Sequence, residues 1–447
     1  MTQTKKASSS RQIESRKSAA LSGTVRAPGD KSISHRALIF GAMADGTTTV
    51  SGLLEGADIL STLEAMRSFG AHIERDNEAI WHVKGVGRKG FQTPEADIDC
   101  GNAGTGVRLI MGAAAGYKLT ARFTGDASLS SRPMGRVLRP LAEMGVETKA
   151  TDSDRLPIIL SSDGKLSPID YTPPHASAQV KSCILLAALN TKGTTTVHEP
   201  KLTRDHTENM LEAFGATIER QTIETGQIIK LSGPQRLQAT SVTVPGDPSS
   251  AAFPIVAALI TPDSDIIIEN VMMNPTRTGL FETLTEMGAF IRTDNFRKSG
   301  GEVIADIHVR HSALHGVTVP PERAPSMIDE YPVLAVAASY AKGKTIMNGI
   351  GELRVKESDR IAATVAMLKG NGVIIDERAD GMTVTGGSVK GGGLVKTHHD
   401  HRIAMSSLIL GLNASTPVKI DDGDMIATSF PSFFDLMQKL GARISCP

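Results

Sequence analysis

The chain is organised around one stretch, PGDKSISHR at residues 28–36. The alternating run before it, residues 21–27, predicts a strand, and the apolar run after it, residues 37–44, predicts a helix. A Pro-Gly turn between them therefore places Lys31, Ser32 and Arg36 around a helix N-terminus. Unpaired N–H groups and the positive end of the helix dipole lie there, so the pattern indicates an oxyanion site. A solvated turn with two incidental cations is the alternative.

The same turn returns in the second half of the chain. VRAPGDKS at residues 25–32 reappears as VTVPGDPS at residues 242–249, which is 217 residues later. Two matching turns predict two crossings between two domains, one of residues 21–28 with 246–447 and the other of residues 29–245. Cations on both faces of the cleft between them are expected to repel until a ligand draws the domains together.

A shorter repeat divides each domain. Six times an amphipathic helical pattern ends at a glycine that precedes a short alternating strand, and these glycines lie 69 to 84 residues apart. Each glycine fits the C′ position of a helix, where a left-handed backbone is needed. The repeat predicts an α/β fold of two domains, each built from three similar βαβ-type units. The six glycines are Gly70, Gly145, Gly215, Gly288, Gly372 and Gly441.

Composition excludes several classes of function. The net charge of the 447 residues is zero and aromatic residues make up 4%, which argues against a general binder of nucleic acid or anionic membranes. Three widely separated cysteines give no disulfide framework and fit a reducing cytoplasm. No stretch has transmembrane length. Residues 1–20 are polar and basic and predict a disordered tail; a transit peptide is the alternative, which Glu14 disfavours.

Other motifs add polar groups at predicted helix starts. In the first half these are the glycine-rich CGNAGTGVR at residues 100–108, which precedes a helix predicted over residues 109–115, and positions near Arg132, Ser177 and Arg204. In the second half Asp329 precedes an apolar helix, where an N-cap role is the alternative. The charged run at residues 354–360 also fits a solvated helix face. HHDHR at residues 398–402 suggests a metal, but no second ligand cluster stands at zinc spacing.

Together these motifs resemble the 5-enolpyruvylshikimate-3-phosphate synthase family, and APSMIDEYP at residues 324–332 resembles its bacterial class II branch. The resemblance implies the enolpyruvyl transferase fold with the active site between two domains. It implies transfer of the carboxyvinyl group of phosphoenolpyruvate to the 5-hydroxyl of shikimate 3-phosphate, on the pathway to chorismate and aromatic amino acids. It also implies a cytoplasmic monomer with no metal or organic cofactor, and glyphosate as a possible inhibitor.

The resemblance assigns roles residue by residue. It makes Asp329 the general base, Glu357 the general acid and Lys31 the cation that balances charge at the reacting oxygens. Residues expected to hold shikimate 3-phosphate are Lys31, Ser32, Arg36, Ser177, Ala178, Gln179, Arg204, Asp329 and Lys356. Residues expected to hold phosphoenolpyruvate are Lys31, Gly104, Arg132, Gln179, Arg360 and Arg402.

One departure and one rival activity remain. Many class I members carry a lysine where this chain has Thr428, so one cation expected at the phosphoenolpyruvate site is missing or replaced.

The sister activity on UDP-N-acetylglucosamine uses a reactive cysteine near the first-half arginines, and residues 122–136 contain none. Cys100 and Cys183 are interpreted as small buried residues. A non-catalytic anion-binding module would explain the cations but not the paired acids Asp329 and Glu357.

Overall fold

The computed structural model describes residues 13–152, 154–299 and 301–445. Its strands form six four-stranded sheets with one shared plan, in which a parallel pair is extended by two antiparallel pairings. Helices pack on these sheets, so the prediction of an α/β fold built from six similar units is confirmed.

We call the part from α1 to β14 the first lobe and the remainder the second lobe. The chain enters through β1 (Ile13–Ser15) and β2 (Ser22–Arg26), which belong to the second lobe. The first lobe then consists of α1 (Lys31–Met43), β3 (Thr47–Ser51), α2 (Ala57–Ser68), β4 (His72–Arg75), β5 (Trp81–Lys84), β6 (Ile98–Asp99), α3 (Gly104–Ala115), β7 (Lys118–Thr124), α4 (Ala127–Ser130), α5 (Gly135–Glu143), β8 (Glu147–Asp152), β9 (Arg155–Asp163), β10 (Asp170–Tyr171), α6 (Ala178–Ala188), β11 (Gly193–Glu199), α7 (His206–Ala213), β12 (Glu219–Ile223), β13 (Gly226–Gly233) and β14 (Ser241–Thr243).

The second lobe repeats the pattern. It consists of β1, β2, α8 (Pro248–Ile260), β15 (Asp265–Met272), α9 (Gly279–Glu286), β16 (Phe290–Ser299), β17 (Glu302–Arg310), β18 (Thr318–Val319), α10 (Ala324–Met327), α11 (Tyr331–Ser339), β19 (Lys344–Asn348), α12 (Arg360–Gly370), β20 (Ile374–Arg378), β21 (Gly381–Thr385), β22 (Leu394–Val395), α13 (His401–Leu410), β23 (Val418–Ile420), α14 (Phe433–Lys439) and β24 (Ile444–Ser445). Short 3₁₀ turns, among them Gly351–Val355 and Asp424–Thr428, connect some of these elements.

Each crossing between the lobes follows a strand that pairs within its own lobe. Strand β2 precedes the first Pro-Gly turn and pairs in parallel with β15 of the second lobe. Strand β14 precedes the second Pro-Gly turn and pairs in parallel with β3 of the first lobe. Both turns are therefore held by strand pairing immediately upstream, and the helices that follow them, α1 and α8, start from fixed points.

Two hydrophobic cores fill the lobes, one for each. One helix of every unit is buried over most of its length, namely α1, α3 and α6 in the first lobe and α8, α11 and α13 in the second. Such helices are apolar on all sides, as expected for the centre of a large core. Helices α3 and α6 approach closely at Gly112, where a Cβ would overlap the backbone of Cys183.

The six unit-ending glycines all adopt the predicted backbone. Their φ angles lie between 81° and 102°, a left-handed region that costs glycine little and other residues much. The amphipathic helices before them bury the predicted faces, for example Ile59 and Met66 in α2 and Leu280 and Leu284 in α9.

The prediction of a disordered tail over residues 1–20 is wrong for its second part. Residues 13–15 form β1, which lies between β23 and β24 and completes the last sheet of the chain. Ile13 and Ser15 are buried while Glu14 is only half-buried, so even this short segment shows strand alternation. The last unit contributes only three strands of its own, and the fourth comes from the N-terminal segment. The remainder of that prediction, residues 1–12, lies outside the described residues.

Candidate active site

Of the six buried unit helices, five begin at or beside residues predicted for the site, and the sixth, α8, begins after Asp247, which was not predicted. Free N–H groups and positive dipole ends gather at such positions, which suits anionic ligands. The six starts are Lys31 in α1, Gly104 in α3, the cap Ser177 before α6, the cap Asp247 before α8, Tyr331 in α11, two residues after Asp329, and His401 in α13, one residue before Arg402.

In the first lobe, Arg36 is held rigidly beneath the start of α1. Its Nε donates to Thr207 Oγ1 at 2.8 Å, its Nη2 to Ser182 Oγ at 2.9 Å and its Nη1 to the Ser32 carbonyl at 3.0 Å. Burial lowers the pKa of Arg36 to about 10, so the group stays charged at neutral pH. Lys31, one turn away, forms an ion pair with Asp58.

The glycine-rich loop supplies a second group of donors. Helix α3 begins at Gly104 rather than near residue 109, so the glycine lies in the first helical turn. Arg108 donates from Nη1 to Gln179 Oε1 at 3.0 Å, and Gln179 Nε2 donates to Thr105 Oγ1 at 2.9 Å. Arg132 donates from Nη2 to Asn102 Oδ1 at 2.5 Å. The Gly104 amide donates to the Asn102 carbonyl at 2.8 Å, and the Gly104 carbonyl accepts from Arg108 Nη1 at 2.9 Å, so Gly104, Arg132 and Gln179 share one network.

In the second lobe a buried arginine joins the two predicted catalytic acids. Arg360, the first residue of α12, donates from Nη1 to Asp329 Oδ1 at 3.1 Å and from Nη2 to Glu357 Oε2 at 2.6 Å. Its Nε donates to Asp400 Oδ2 at 2.8 Å, and Asp400 also caps α13 beside Arg402. Asp329 does not cap α11, so the alternative considered for it is wrong.

Ion pairs cross the cleft between the lobes. Arg204 donates to Asp329 Oδ2 at 2.7 Å, and Arg136 donates to Glu352 Oε1 at 3.0 Å. Arg132 Nη1 lies 3.8 Å from Glu357 Oε1. The expectation that like charges hold the two faces apart is therefore wrong, because acids of the second lobe meet arginines of the first.

The surrounding cations set the ionisation of the two acids. Burial raises the pKa of Asp329, but Arg204, Lys356 and two further arginines outweigh it and hold this pKa well below its usual value. Burial likewise opposes ionisation of Glu357, and Arg360 and neighbouring cations lower its pKa far below the usual range. Both acids are ionised near neutral pH. Such a state suits a base directly, whereas an acid must first gain a proton.

The remaining predicted residues lie around these groups. Arg402 is buried, with Nη1 donating to the Ser249 carbonyl at 3.3 Å and lying 3.7 Å from Glu330 Oε1. Ser177 caps α6, and Ala178 is its first residue. Thr428 donates its hydroxyl to the Met425 carbonyl at 2.6 Å within its own turn, so it does not replace the class I lysine.

Several residues of the site were not predicted from the sequence. They are Asp58, Asn102, Arg108, Glu352 and Asp400. Asn102, Arg108 and Asp400 stand inside motifs that were recognised, so the signal was present. Asp58 and Glu352 stand in ordinary polar surroundings, and only the fold reveals their partners.

The metal hypothesis for the histidine run finds no support in the geometry. His398 and His399 are exposed, whereas His401 is buried at the start of α13, so the three do not converge. Among the described residues one other group has suitable ligand atoms within 4.8 Å of one another, namely Asp205, His206 and Glu302. His206 Nδ1 already pairs with Glu302 at 2.9 Å, and Arg277 Nη1 lies 3.4 Å from His206 Nε2. A cation at that position would meet the charge of this arginine.

Comparisons with known proteins agree with this arrangement. Residues 15–437 match the family model of EPSP synthase (3-phosphoshikimate 1-carboxyvinyltransferase). A 3-phosphoshikimate 1-carboxyvinyltransferase of Chelativorans sp. is 59% identical over 440 residues, which cover 97% of this chain and 98% of that protein. One of an Achromobacter strain, a class II-type relative, is 56% identical over 96% of both chains.

Solved structures show the same likeness. The EPSP synthase of Acinetobacter baumannii superposes with a TM-score of 0.87 at 43% identity, covering 97% of this chain and 99% of that one. The enolpyruvyl transferase NikO of Streptomyces tendae has a TM-score of 0.76 at 20% identity, which is a likeness of fold alone. With a family match and full-length relatives at this identity, the chain belongs to the EPSP synthase family.

Proposed function

We propose that this protein transfers the carboxyvinyl group of phosphoenolpyruvate to the 5-hydroxyl of shikimate 3-phosphate and releases phosphate. The observation that carries the proposal is the pair of ionised acids, Asp329 and Glu357, joined by Arg360 and faced by Arg204 and Arg132 across the cleft. Both substrates are polyanions, and a chain of zero net charge concentrates its arginines where they would bind.

The reaction has two steps, and each needs a proton carrier. First the 5-hydroxyl oxygen bonds to C2 of phosphoenolpyruvate, the hydroxyl proton leaves and C3 gains a proton to become a methyl group. Then C3 loses a proton, the C2–O bond to phosphate breaks and the double bond forms again. We assign the hydroxyl proton to Asp329 and the C3 proton to Glu357, with Lys31 stabilising negative charge at the reacting oxygens.

The depressed pKa of Glu357 sets a condition on its role. A carboxyl that stays ionised near neutral pH is a poor acid as long as Arg360 and Arg132 stabilise its charge. An incoming phosphate and carboxylate would compete for these guanidinium groups and so raise the pKa of Glu357. Substrate binding would thereby convert Glu357 into a usable acid.

The rest of the predicted set would hold the substrates. We propose Ser32, Arg36, Ser177, Ala178, Gln179, Arg204 and Lys356 for shikimate 3-phosphate, and Gly104, Arg132, Gln179, Arg360 and Arg402 for phosphoenolpyruvate. The two structural arginines among them, Arg36 and Arg360, already have three protein partners each, so they would contribute mainly charge and positioning.

Transfer to UDP-N-acetylglucosamine is the alternative activity. It needs a reactive cysteine, and burial raises the pKa of Cys100 and of Cys183 to about 12, which makes both poor nucleophiles. Two buried cysteines without a disulfide also fit the reducing cytoplasm, where we propose that the enzyme acts as a monomer. None of the described helices is long and apolar enough to span a bilayer.

A phosphate-release assay separates the candidates. With phosphoenolpyruvate present, we expect release with shikimate 3-phosphate and none with UDP-N-acetylglucosamine. Release with the sugar nucleotide alone would establish the rival activity. Release with neither acceptor would leave only an anion-binding module.

A further inference from the structure

The two crossings between the lobes meet in one junction. Gly29 and Gly246 form an antiparallel bridge, and the residues after them bond across it. The Asp30 amide donates to the carbonyl before Gly246 at 2.7 Å, and the Asp247 amide donates to the carbonyl before Gly29 at 2.8 Å. The junction is thus nearly symmetric in its two strands.

Each aspartate also caps the helix that follows. Asp30 Oδ1 accepts from the backbone at residue 33 of α1 at 2.7 Å, and Asp247 Oδ1 accepts from residue 249 of α8 at 2.8 Å. Both carboxylates are buried. Two buried negative charges this close require a shared cation.

Arg277, in the loop between β15 and α9, is that cation. It is 4% exposed, and it donates from Nη1 to Asp30 Oδ2 at 2.7 Å and from Nη2 to Asp247 Oδ1 at 2.8 Å. Against the effect of burial, Arg277 and His206 lower the pKa of Asp30 to about 2. Burial and the charge of Asp30 raise the pKa of Asp247.

The same guanidinium contacts residues that neighbour or hold groups of the proposed site in both lobes. Asp30 directly precedes Lys31, the first residue of α1. Arg277 Nη2 donates to Ser249 Oγ at 3.0 Å, and this hydroxyl in turn donates to Glu330, the neighbour of Asp329. The Ser249 carbonyl accepts from Arg402. One side chain therefore contacts the supports of three groups of the proposed site.

We propose that Arg277 is a positioning residue for carboxyvinyl transfer. By binding Asp30 and Asp247 together, it fixes the register of the two crossings and so the position of Lys31 relative to Asp329. The inference rests on the proposed function. Only the planar fork of an arginine reaches both carboxylates in this way, since the ammonium group of a lysine is a single compact donor.

The experiment compares Arg277→Met with Arg323→Met. Arg323 is also nearly buried and pairs with Glu282 and Glu286, but all of these residues lie in the second lobe. Both variants should lose thermal stability. Measured with saturating substrates well below the melting midpoint, kcat of Arg277→Met should fall about 100-fold, the cost of ångström-scale misplacement, while kcat of Arg323→Met stays near that of the wild type.

Two further variants keep the test decisive. Arg277→Lys should regain much of the melting midpoint but leave kcat low. If Arg277→Met does not fold, Asp30→Asn keeps a cap oxygen, loses the charge that Arg277 binds and should also lower kcat. Equal kcat in the two methionine variants, or full recovery with lysine, would overturn the proposal. An inactive wild type would instead refute the proposed function.

Discussion

Arg204 of the first lobe donates to Asp329 of the second across 2.7 Å, which places a cation against the proposed base. Against the effect of burial, Arg204 and other cations hold the pKa of Asp329 well below its usual value, so this carboxylate is ionised near neutral pH. The strength of the proposed base therefore depends in part on a residue of the opposite lobe.

Asp329→Asn preserves shape but removes the proton acceptor. We expect kcat to fall by roughly 10²–10⁴, the usual contribution of a general acid or base, with smaller changes in substrate binding. Glu352→Gln is the matched control, since it also removes a carboxylate that faces a first-lobe arginine across the cleft. Steady-state phosphate release provides the measurement. If kcat of Asp329→Asn is within a few-fold of that of the control, Asp329 is not the general base.

Glu357→Gln tests the proposed role of Glu357 as the general acid. We expect a loss of kcat in the same range of roughly 10²–10⁴. If Glu357 gives a proton to C3 and takes one back, as we propose, the wild type in D₂O should incorporate deuterium into the vinyl group of the product, measured by mass spectrometry. The variant should lose that exchange together with turnover. Persistent deuterium incorporation in Glu357→Gln would assign the C3 proton to another group.

Gly104→Ala tests how the phosphoenolpyruvate pocket discriminates. A Cβ at this position would lie 2.9 Å from Arg132 Nη1 and 3.2 Å from Arg108 Nη1, so the arginines must shift to admit it. Glyphosate is longer than phosphoenolpyruvate and should suffer more from the lost space. We expect the wild type to be inhibited competitively against phosphoenolpyruvate.

For the variant, the inhibition constant should rise by more than KM. The control is Gly370→Ala, at the end of α12, where a Cβ meets nothing within 4 Å. Inhibition is measured at fixed shikimate 3-phosphate. Equal inhibition constants for wild type and Gly104→Ala would show that this position does not limit the length of inhibitor that the phosphoenolpyruvate pocket accepts.

Domain closure should depend on salt, because ion pairs join the lobes at Arg204, Arg136 and Arg132. Screening weakens partly exposed pairs, so the radius of gyration of the ligand-free protein should increase between low and high ionic strength. Saturating shikimate 3-phosphate should then return it to the smaller value. Small-angle scattering measures the radius of gyration under each condition. A radius that changes with neither ionic strength nor ligand would contradict a hinged pair of lobes.

Stability should decline on the acid side well before the carboxylates titrate. Burial, with Arg402, lowers the pKa of His401 to about 3, and burial with Lys31 lowers the pKa of His35 well below 6.5. The unfolded chain binds these protons near pH 6.5, so the free energy of unfolding falls as pH decreases from about 6.5 towards 3.

The urea midpoint between pH 7 and 4.5 provides the measurement for this decline. His401→Gln should flatten the curve. An unchanged slope in His401→Gln would mean that this histidine does not titrate on unfolding.

Much of this architecture could be predicted because it rests on local rules. The unit-ending glycines are needed for a left-handed backbone, and the Pro-Gly-Asp turns mark the crossings through their own chemistry. The motifs of the cleft stand at helix starts, which a sequence displays directly. Lys31 was proposed in this way, whereas the roles of Gly104 and Arg402 were proposed from the family resemblance.

The features that were missed depend on distant partners. Nothing around residues 13–15 predicts a strand, because its neighbours β23 and β24 lie more than 400 residues further on. Arg277 stands in a loop without a motif and has meaning only beside Asp30, 247 positions away. The sequence led us to expect repulsion between cations across the cleft, whereas the structure has ion pairs there. A sequence shows which residues are charged but not which of them are in contact.

The order in which strands find their partners along the chain has a consequence for synthesis on the ribosome. The first lobe is a continuous insertion that can fold once β14 has emerged, because β14 completes its sheet beside β3. The second lobe must wait: β2 has no partner until β15 is made, and β1 none until the last strands appear. Strands β1 and β2 are thus among the last to be placed, and a nascent chain carries them unpaired while the first lobe is already complete.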